Sequence, residues 1–235
     1  MSDFYQAVRL LFGSDSELRV IIAVTLQMSL MSTCISSLIG LPLGILLGSC
    51  EFKCKRLISR INSTLMSLPP VVAGLVVFML LSRSGPLGSL RLLYTVSAMI
   101  TAQVLLITPI ITGMTAAVIS SRSGEIVETS IGLNLKKSRI LGCMLYESRT
   151  QLIAVVLSGF GRAIAEVGAV QLVGGNVQYK TRVMTTAIML ETNMGHFSFA
   201  LALGAVLLII SFIVNTAARS LENAVDRRSG RKRFD

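Results

Sequence analysis

Apolar and polar stretches alternate along the chain in a way that predicts five membrane-crossing helices. The largely apolar segments are residues 20–47, 64–81, 95–119, 151–173 and 197–217. Each has about the length of helix, ~20 residues, that crosses a hydrocarbon core. We therefore expect an all-α polytopic membrane protein with one transmembrane domain over residues 20–217. A polar surface helix over residues 1–19 precedes it, and a basic tail over residues 218–235 follows it.

The composition agrees with this pattern and excludes an ordinary soluble domain. The mean hydropathy is +0.72, and only 14% of the residues are charged, against ~25% in soluble domains. The net charge of +10 could indicate a nucleic-acid partner. The basic residues, however, lie between and after the apolar segments, where membrane topology already accounts for them. We therefore expect no nucleic-acid partner and a lipid environment.

The distribution of Lys and Arg predicts the orientation. The loop over residues 48–63, the stretch over residues 120–150 and the tail carry fifteen basic residues together, whereas the other three connections and ends carry six. Because basic loops stay on the cytoplasmic side, the tail and residues 120–150 should be cytoplasmic. The N-terminus should lie outside, and the chain should be a multi-pass protein of the cytoplasmic membrane.

Two charged residues interrupt the fourth apolar segment. Arg162 and Glu166 are four residues apart, so they share one face of a helix. Charges at this depth are costly and must face protein or water. Two interpretations remain open, a structural ion pair and the wall of a solute path. If the solute is an anion, the arginine would attract it, and Arg182, Thr185 and Thr186 would add donors near the exterior mouth.

Prolines and glycines predict bends and close helix contacts. Pro69 and Pro70 lie inside the second apolar segment, where they should mark a bend at a packed or water-lined position. Small residues allow helices to approach closely in membranes, and glycines tolerate the left-handed conformation that ends many helices. The glycines to which we assign packing are Gly159, Gly161, Gly168, Gly174 and Gly175.

The polar stretch over residues 120–150 has a helical charge pattern. Its length and patterning favour a short helix that stands off the membrane and docks a partner. A solvated linker is the alternative.

No pattern in the chain indicates a catalytic or metal site. His196 has no neighbouring Cys or His, and Cys50 and Cys54 lack a second ligand pair. There is no Gly-Lys-Ser/Thr phosphate loop. We therefore expect no enzyme activity, no metal and no cofactor bound by this chain itself.

Four stretches carry a resemblance to a known family. They are residues 68–75 (LPPVVAGL), 81–88 (LSRSGPLG), 159–175 (GFGRAIAEVGAVQLVGG) and 181–192 (TRVMTTAIMLET). In this order and spacing, they resemble the permease subunits of ATP-binding-cassette (ABC) importers, in the branch that carries molybdate and tungstate. The similarity extends over about residues 18–217 and favours tungstate.

The resemblance implies an arrangement of partners. It predicts a type I ABC importer permease fold in which two copies pair in a prokaryotic membrane. Two cytoplasmic ATPases bind ATP and magnesium, and an extracytoplasmic binding protein delivers tungstate. Within this arrangement, we expect the solute path or its gate to be formed by Pro69, Pro70, Arg162, Glu166, Arg182, Thr185 and Thr186.

The family's cytoplasmic coupling helix carries a Glu-Ala-Ala motif followed by a glycine. The matching residues here run from Glu128 to Gly132, with both alanines replaced and the glycine early. Tyr146 stands where a proline is common. The residues expected to contact the ATPase are Glu128, Ser130, Gly132, Leu133, Asn134 and Tyr146.

Other functions remain as alternatives. Within the same class, the solute could be molybdate or another oxyanion such as sulfate. A stand-alone channel or secondary transporter would need no ATPase, but the charged, helical interior stretch argues against it. A membrane enzyme is the least favoured alternative, because the sequence shows no set of residues that could serve as nucleophile, base or metal ligands.

Overall fold

A computed structural model of the protein describes residues 16–132 and 137–228, and within these ranges the side chains of residues 16–121 and 139–220. The described chain is helical. Its α-helices are α1 (Ser16–Ser49), α2 (Lys55–Met66), α3 (Pro70–Leu81), α4 (Val96–Gly132), α5 (Lys137–Ile164), α6 (Gly168–Gly174), α7 (Met184–Asn193) and α8 (Phe197–Arg228). A short 3-10 helix, Gly88–Leu90, lies between α3 and α4.

In the described part of the chain, four helices are long and apolar enough to cross a membrane. They are Ser16–Ser49, Val96–Ser121, Arg139–Ile164 and Phe197–Ser220. The pair α2 and α3 passes the same test as one bent span, with an angle of 97° between its halves. The predicted architecture of about five membrane helices is therefore confirmed, with the second as a bent pair.

The second apolar segment is broken rather than continuous. The prediction of one span over residues 64–81 is wrong in this respect, because α2 ends at Met66 and α3 begins at Pro70. Pro69 is extended, with φ −59° and ψ 129°, as expected for a residue that precedes a proline. More than half of the predicted loop over residues 48–63 belongs instead to helix α2. The apolar residues of this helix recur at helical spacing, which favours a helix over a loop.

The fourth apolar segment is also broken. We predicted one helix over residues 151–173, but α5 ends at Ile164, and the short α6 begins only at Gly168. The two pieces pack against different parts of the core. Phe160 and Ile164 lie among buried residues of α1, α7 and α8, whereas Ala169 and Val173 lie among those of α3 and α4. The break therefore lies between two clusters of buried residues, one that packs on the end of α5 and one that packs on α6.

The polar stretch over residues 120–150 belongs mostly to the ends of two long helices. The α4 helix continues to Gly132, and α5 begins at Lys137. Within the described residues of this stretch there is no separate short helix. Residues 133–136 lie outside the described part.

The predicted boundaries at both ends of the chain also shift. Residues 16–19 belong to α1 rather than to a separate surface helix, and α8 runs to Arg228, well beyond residue 217. The remaining residues of the predicted surface helix and tail lie outside the described ranges.

Small residues bring α1 close to α4. A Cβ atom added at Gly40 would lie 3.0 Å from the side chain of Ile111. One at Gly44 would lie 2.5 Å from that of Thr115, and one at Gly48 would lie 2.7 Å from that of Ile119. Glycines four residues apart on one helix face allow such an approach. These contacts fix the depth of α4 against α1 and so position Gln103, one of the buried polar residues of α4.

Candidate functional site

The break between α5 and α6 holds the charged pair that the sequence singled out. Nη1 of Arg162 lies 2.7 Å from Oε2 of Glu166, across the end of α5. The two side chains differ in exposure, at 41% for Arg162 and 5% for Glu166. The guanidinium therefore reaches an open face of the chain, whereas the carboxylate lies inside.

Glu166 has a structural task besides the ion pair. Its Oε1 accepts a hydrogen bond of 3.3 Å from the backbone N–H of Ala169, in the first turn of α6. Acidic side chains stabilise helix N-termini, where backbone N–H groups lack partners within the helix. The carboxylate thus joins the last turn of α5 to the first turn of α6, which explains why a buried charge is tolerated here.

Gln103 also stabilises the break between α5 and α6, although the sequence did not lead us to expect this role. This side chain is fully buried, and its Nε2 donates a 2.8 Å hydrogen bond to the carbonyl of Ala163. Its Oε1 accepts a 2.6 Å bond from the hydroxyl of Ser32. An uncharged amide inside the apolar segment 95–119 was the available signal, because a polar side chain at that depth needs a partner.

Thr185 supplies another hydrogen bond to the break. Its hydroxyl donates to the carbonyl of Glu166 over 2.8 Å. That carbonyl belongs to the interruption between α5 and α6, so it has no partner in a regular helical turn. Hydrogen bonds from three other helices therefore stabilise the break between α5 and α6. They involve Ser32 of α1, Gln103 of α4 and Thr185 of α7.

A narrow crevice lies beside the pair. It is lined by Gln103, Leu106, Ile107, Arg162, Ala163 and Glu166, and it is too narrow to admit a water molecule. Among the side chains that line this crevice, that of Arg162 is the most exposed, at 41%.

The predicted donors on the exterior side have protein partners. Nη1 of Arg182 lies 2.8 Å from Oε1 of Glu17, and its side chain is only 13% exposed. Nε of Arg182 is buried and lacks a hydrogen-bond partner among the described residues. The hydroxyl of Thr186 donates to Oδ1 of Asn176 over 3.0 Å. Their role toward a solute remains a prediction.

The two prolines lie close to the same break. Pro70 begins α3 and Pro69 caps it, and the first turns of α3 pack on α6. A Cβ atom at Gly168 would lie 2.9 Å from Cγ2 of Val71, and one at Gly74 only 2.7 Å from Cα of Ala169. Two interrupted membrane helices thus meet at their broken ends.

The five glycines predicted to pack differ in their surroundings. Added Cβ atoms at Gly159 and Gly174 would lie 3.0 Å from Ile111 and 2.8 Å from Met99. Gly175 has a φ of +67° beside the ring of Tyr94, a conformation that favours glycine. A Cβ atom at Gly161 would meet nothing within 4 Å in the single chain, so the packing role of this glycine remains a prediction.

The predicted ATPase-coupling residues are only partly described. Glu128, Ser130 and Gly132 belong to the helical backbone of α4, and Leu133 and Asn134 lie outside the described residues. Tyr146 on α5 is 66% exposed, and the guanidinium of Arg149 lies 4.2 Å from its ring centroid. Their coupling role therefore remains a prediction.

Among the described residues, no group of three or more His, Cys, Asp or Glu side chains could hold a metal. The four cysteines are exposed and free. His196 lies 2.9 Å from Glu191 in an exposed pair.

A set of membrane-crossing helices, two of them interrupted where they pack on each other, is typical of a polytopic membrane protein of the transport class. The chain belongs to the family of binding-protein-dependent transport system inner membrane components, which matches residues 40–229. It is therefore the multi-pass, inner-membrane permease subunit of an ABC transporter. The predicted family resemblance is confirmed, and membership implies association with an ATPase and a binding protein.

Relatives in the family extend over nearly the whole chain. The tungstate uptake system permease protein TupB of Peptoclostridium acidaminophilum is 42% identical over 93% of this chain and 96% of its own length. TupB of Campylobacter jejuni is 41% identical over 93% of this chain and 92% of its own. A probable anion ABC transporter permease of Haloferax volcanii is 35% identical over 91% and 94%.

The fold also has a solved counterpart. A chain from inward-facing structures of the MetNI methionine ABC transporter matches with a TM-score of 0.64, 89% coverage of this chain and 96% of that chain. The sequence identity is 17%, so the likeness concerns the fold alone. The predicted ABC importer permease fold is confirmed.

Proposed function

We propose that this chain is the membrane subunit of an ATP-driven importer of tungstate. The observation that carries the proposal is the 42% and 41% identity, over 93% of the chain, to two tungstate uptake permeases. A sulfate permease of Synechocystis is only 25% identical. A related oxyanion such as molybdate is the second candidate, because a 35% identical relative is described only as a probable anion permease.

The proposed complex contains two copies of this chain. Two cytoplasmic ATPases bind ATP and magnesium, this chain binds no cofactor, and an extracytoplasmic protein delivers the oxyanion. The C-terminal tail faces the cytoplasm, and the N-terminus faces outside. The charge distribution supports this orientation, since the predicted interior segments carry fifteen of the basic residues and the predicted exterior segments carry six.

Arg162 is the residue that we propose to attract the anion. Its guanidinium carries five N–H donors in a planar fork suited to tetrahedral oxyanions. The described contact with Glu166 engages Nη1, and the side chain is 41% exposed within an apolar segment. Because no water molecule fits into the crevice of one chain, we place the path along the exposed side of Arg162, between the two copies.

Glu166 acts on the anion only through Arg162. The carboxylate orients the guanidinium and also lowers its net attraction for an anion, so an oxyanion is held weakly enough to leave. Gln103 and Thr185 keep the break in place and hence fix the position of the arginine. Neither of their polar groups needs to touch the solute.

The test is oxyanion uptake by the reconstituted complex. We expect ATP-dependent tungstate uptake into proteoliposomes that contain this chain, its ATPase and its binding protein, with weaker competition from sulfate than from molybdate. A tagged copy of the chain should co-purify with the ATPase at equal stoichiometry.

Two results would contradict the proposal. Uptake by this chain alone, without ATPase or ATP, would indicate a channel or secondary transporter. Sulfate competition as strong as that of unlabelled tungstate would remove the tungstate assignment while leaving the permease class intact.

A further inference from the structure

The connection between α3 and α4, residues 82–95, borders an open cavity of about 880 Å³. This connection lies on the side that the charge distribution predicts to be exterior. The side chains around the cavity are those of Leu81, Arg83, Ser89, Arg91, Leu93 and Tyr94. None of them lines the crevice beside Arg162, so the cavity is separate from the break between α5 and α6.

The cavity carries positive charge that no acidic side chain of the same connection balances. Arg83 and Arg91 are exposed, and neither forms an ion pair among the described residues. The connection over residues 82–95 contains no Asp or Glu. Exterior segments of membrane proteins are usually poor in basic residues, yet both arginines of this connection line one cavity. A cleft lined by charges of one sign attracts groups of the opposite sign.

The walls of the cavity are held in a fixed shape by backbone hydrogen bonds. The N–H of Leu87 donates to the carbonyl of Leu80 over 3.0 Å, and the N–H of Gly85 donates to that of Ser82 over 2.8 Å. The packing is tight, because a Cβ atom at Gly88 would collide with the carbonyl oxygen of Ser82. A recognition surface that is already ordered loses less conformational entropy when a partner binds.

Two residues beside the cavity adopt a backbone conformation that is uncommon for residues with a side chain. The φ angles of Arg91 and Tyr94 are 49° and 62°, in the left-handed region. Tyr94 is held there, because its N–H donates to the carbonyl of Val173 over 2.9 Å and its ring packs on Gly175. Residues in such conformations concentrate at functional sites. The fold therefore maintains this arrangement of Arg91 and Tyr94 at a cost in stability.

We propose that this cavity receives an acidic segment of the extracytoplasmic binding protein. The inference rests on the proposed function, which supplies a binding protein on this side of the membrane. Arginine and tyrosine are enriched among the residues that dominate protein–protein binding, and guanidinium groups form paired hydrogen bonds with carboxylates. Tyr94 is 50% exposed, and Leu87 and Leu90 of the same connection are 44 and 55% exposed. Exposed apolar side chains beside two arginines fit a protein surface that carries carboxylates.

The size of the cavity argues for a protein segment rather than for the transported ion. A tetrahedral oxyanion would fill on the order of 100 Å³, since one water molecule takes about 30 Å³. The cavity is much larger, at about 880 Å³, and lies in the range of sites that enclose larger ligands, about 300–1,000 Å³. Carboxylate side chains on a protruding loop would match both its volume and its charge.

Titration of the binding protein tests the docking site. The permease–ATPase complex is reconstituted in phosphatidylcholine vesicles, and tungstate-loaded binding protein is added. We expect Arg83→Gln combined with Arg91→Gln to raise the Kd about tenfold, and the two Lys substitutions, which keep the charge, to raise it about threefold. Higher salt should weaken binding to the unmodified complex and have little effect on the Gln variant. An unchanged Kd in the Gln variant, or no binding to the unmodified complex, would overturn the proposal.

Matched variants separate a local effect from a loss of folding or of net charge. Lys53→Gln with Arg56→Gln removes two exposed charges from the loop predicted to be cytoplasmic and should leave the Kd unchanged. Because Arg83 and Arg91 are exposed, their Gln variant should keep the thermal unfolding midpoint of the unmodified complex. An equal loss of affinity in the cytoplasmic control would overturn the proposal.

Thiol labelling locates the contact. Ser89→Cys places a thiol at the cavity, where a membrane-impermeant maleimide should label it from the exterior side. The unmodified chain, whose four cysteines are exposed, gives the background. Saturating binding protein should slow the labelling of Ser89→Cys severalfold, because a docked protein excludes the reagent. Labelling at the same rate with and without the binding protein would overturn the proposal.

Two other occupants would give different results. If the cavity binds the oxyanion itself, the Gln variant keeps its affinity for the binding protein and needs more tungstate for half-maximal uptake. If the arginines contact lipid headgroups, the loss of affinity appears only in vesicles that contain phosphatidylglycerol. Either result would overturn the proposal. A Kd that depends on Arg83 and Arg91 in a complex that imports another anion would support the docking site and contradict only the tungstate assignment.

Discussion

The described residues contain two arginine–glutamate pairs, which differ in sequence separation and in the exposure of their partners. Arg162 and Glu166 are four residues apart, and the arginine is 41% exposed while the glutamate is 5% exposed. Arg182 and Glu17 are far apart in the chain, and the arginine is 13% exposed while the glutamate is 26% exposed. In the first pair the cation reaches an open face, whereas in the second pair the cation is the more buried partner.

This difference agrees with our proposal that Arg162 faces the solute, and it predicts a structural role for Arg182. Arg182 ties the segment before α7 to the start of α1, where Glu17 also accepts a 2.9 Å hydrogen bond from Gln178. Among the described side chains, the ion-pair partner of Arg162 is Glu166, only four residues further along the chain. Loss of Arg162 should therefore damage transport, and loss of Arg182 should damage packing.

The largest effect is expected for Arg162→Ala. We expect tungstate uptake to fall by more than about tenfold, because an ionisable group in a membrane segment is costly and marks a solute path. The measurement is uptake into proteoliposomes with the ATPase and binding protein present. Co-purification of the ATPase should be unchanged, and Arg162→Lys should restore part of the uptake. Normal uptake by Arg162→Ala would remove its path role.

Glu166 should show a larger effect on stability than Arg162 does. Glu166→Ala removes the acceptor for the N–H of Ala169 and leaves Arg162 unpaired, at a cost of about 1–3 kcal/mol. Glu166→Gln keeps an oxygen for Ala169 and should lose less. The check is the thermal unfolding midpoint of the purified complex, compared between the two variants. If Glu166→Gln were as unstable as Glu166→Ala, the capping bond would contribute nothing.

Arg182→Ala should destabilise the protein by about 1 kcal/mol and reduce uptake only moderately, because its partner pair is partly exposed. A double-mutant cycle with Glu17→Gln measures the coupling between the two side chains, for which we expect about 0.5 kcal/mol or more. Our distinction between the two pairs would be wrong if Arg182→Ala abolished uptake without changing the thermal unfolding midpoint. Arg182 would then belong to the path.

The smallest effect is expected for Gly161→Ala, since a Cβ atom there meets nothing within 4 Å. Replacing a helical glycine by alanine should leave the stability of the chain unchanged or raise it by up to about 1 kcal/mol. Gly74→Ala is the contrasting variant, because its Cβ atom would lie 2.7 Å from the backbone of Ala169. Thermal unfolding in detergent compares the two. A destabilised Gly161→Ala would show that this face packs on the second copy.

The sequence by itself determined the class of the protein. Apolar segments of membrane-spanning length, and the motifs around Pro69–Pro70 and Arg162, were enough to predict a helical permease. The pairing of Arg162 with Glu166 was also accessible, because four residues of helix bring two side chains together whatever surrounds them. Both features depend only on local spacing and hydrophobicity, which can be taken directly from the sequence.

Only the tertiary structure decided where the helices break and which polar groups hold the breaks. Gln103 and Ala163, or Arg182 and Glu17, lie far apart in the chain, and no periodicity indicates that they meet. The segment over residues 151–173 is largely apolar and contains no proline, so its pattern predicted one helix. The interruption at residues 165–167 exists because its two ends pack into different regions of the core, and because Gln103, Thr185 and Glu166 satisfy the backbone groups that the interruption frees.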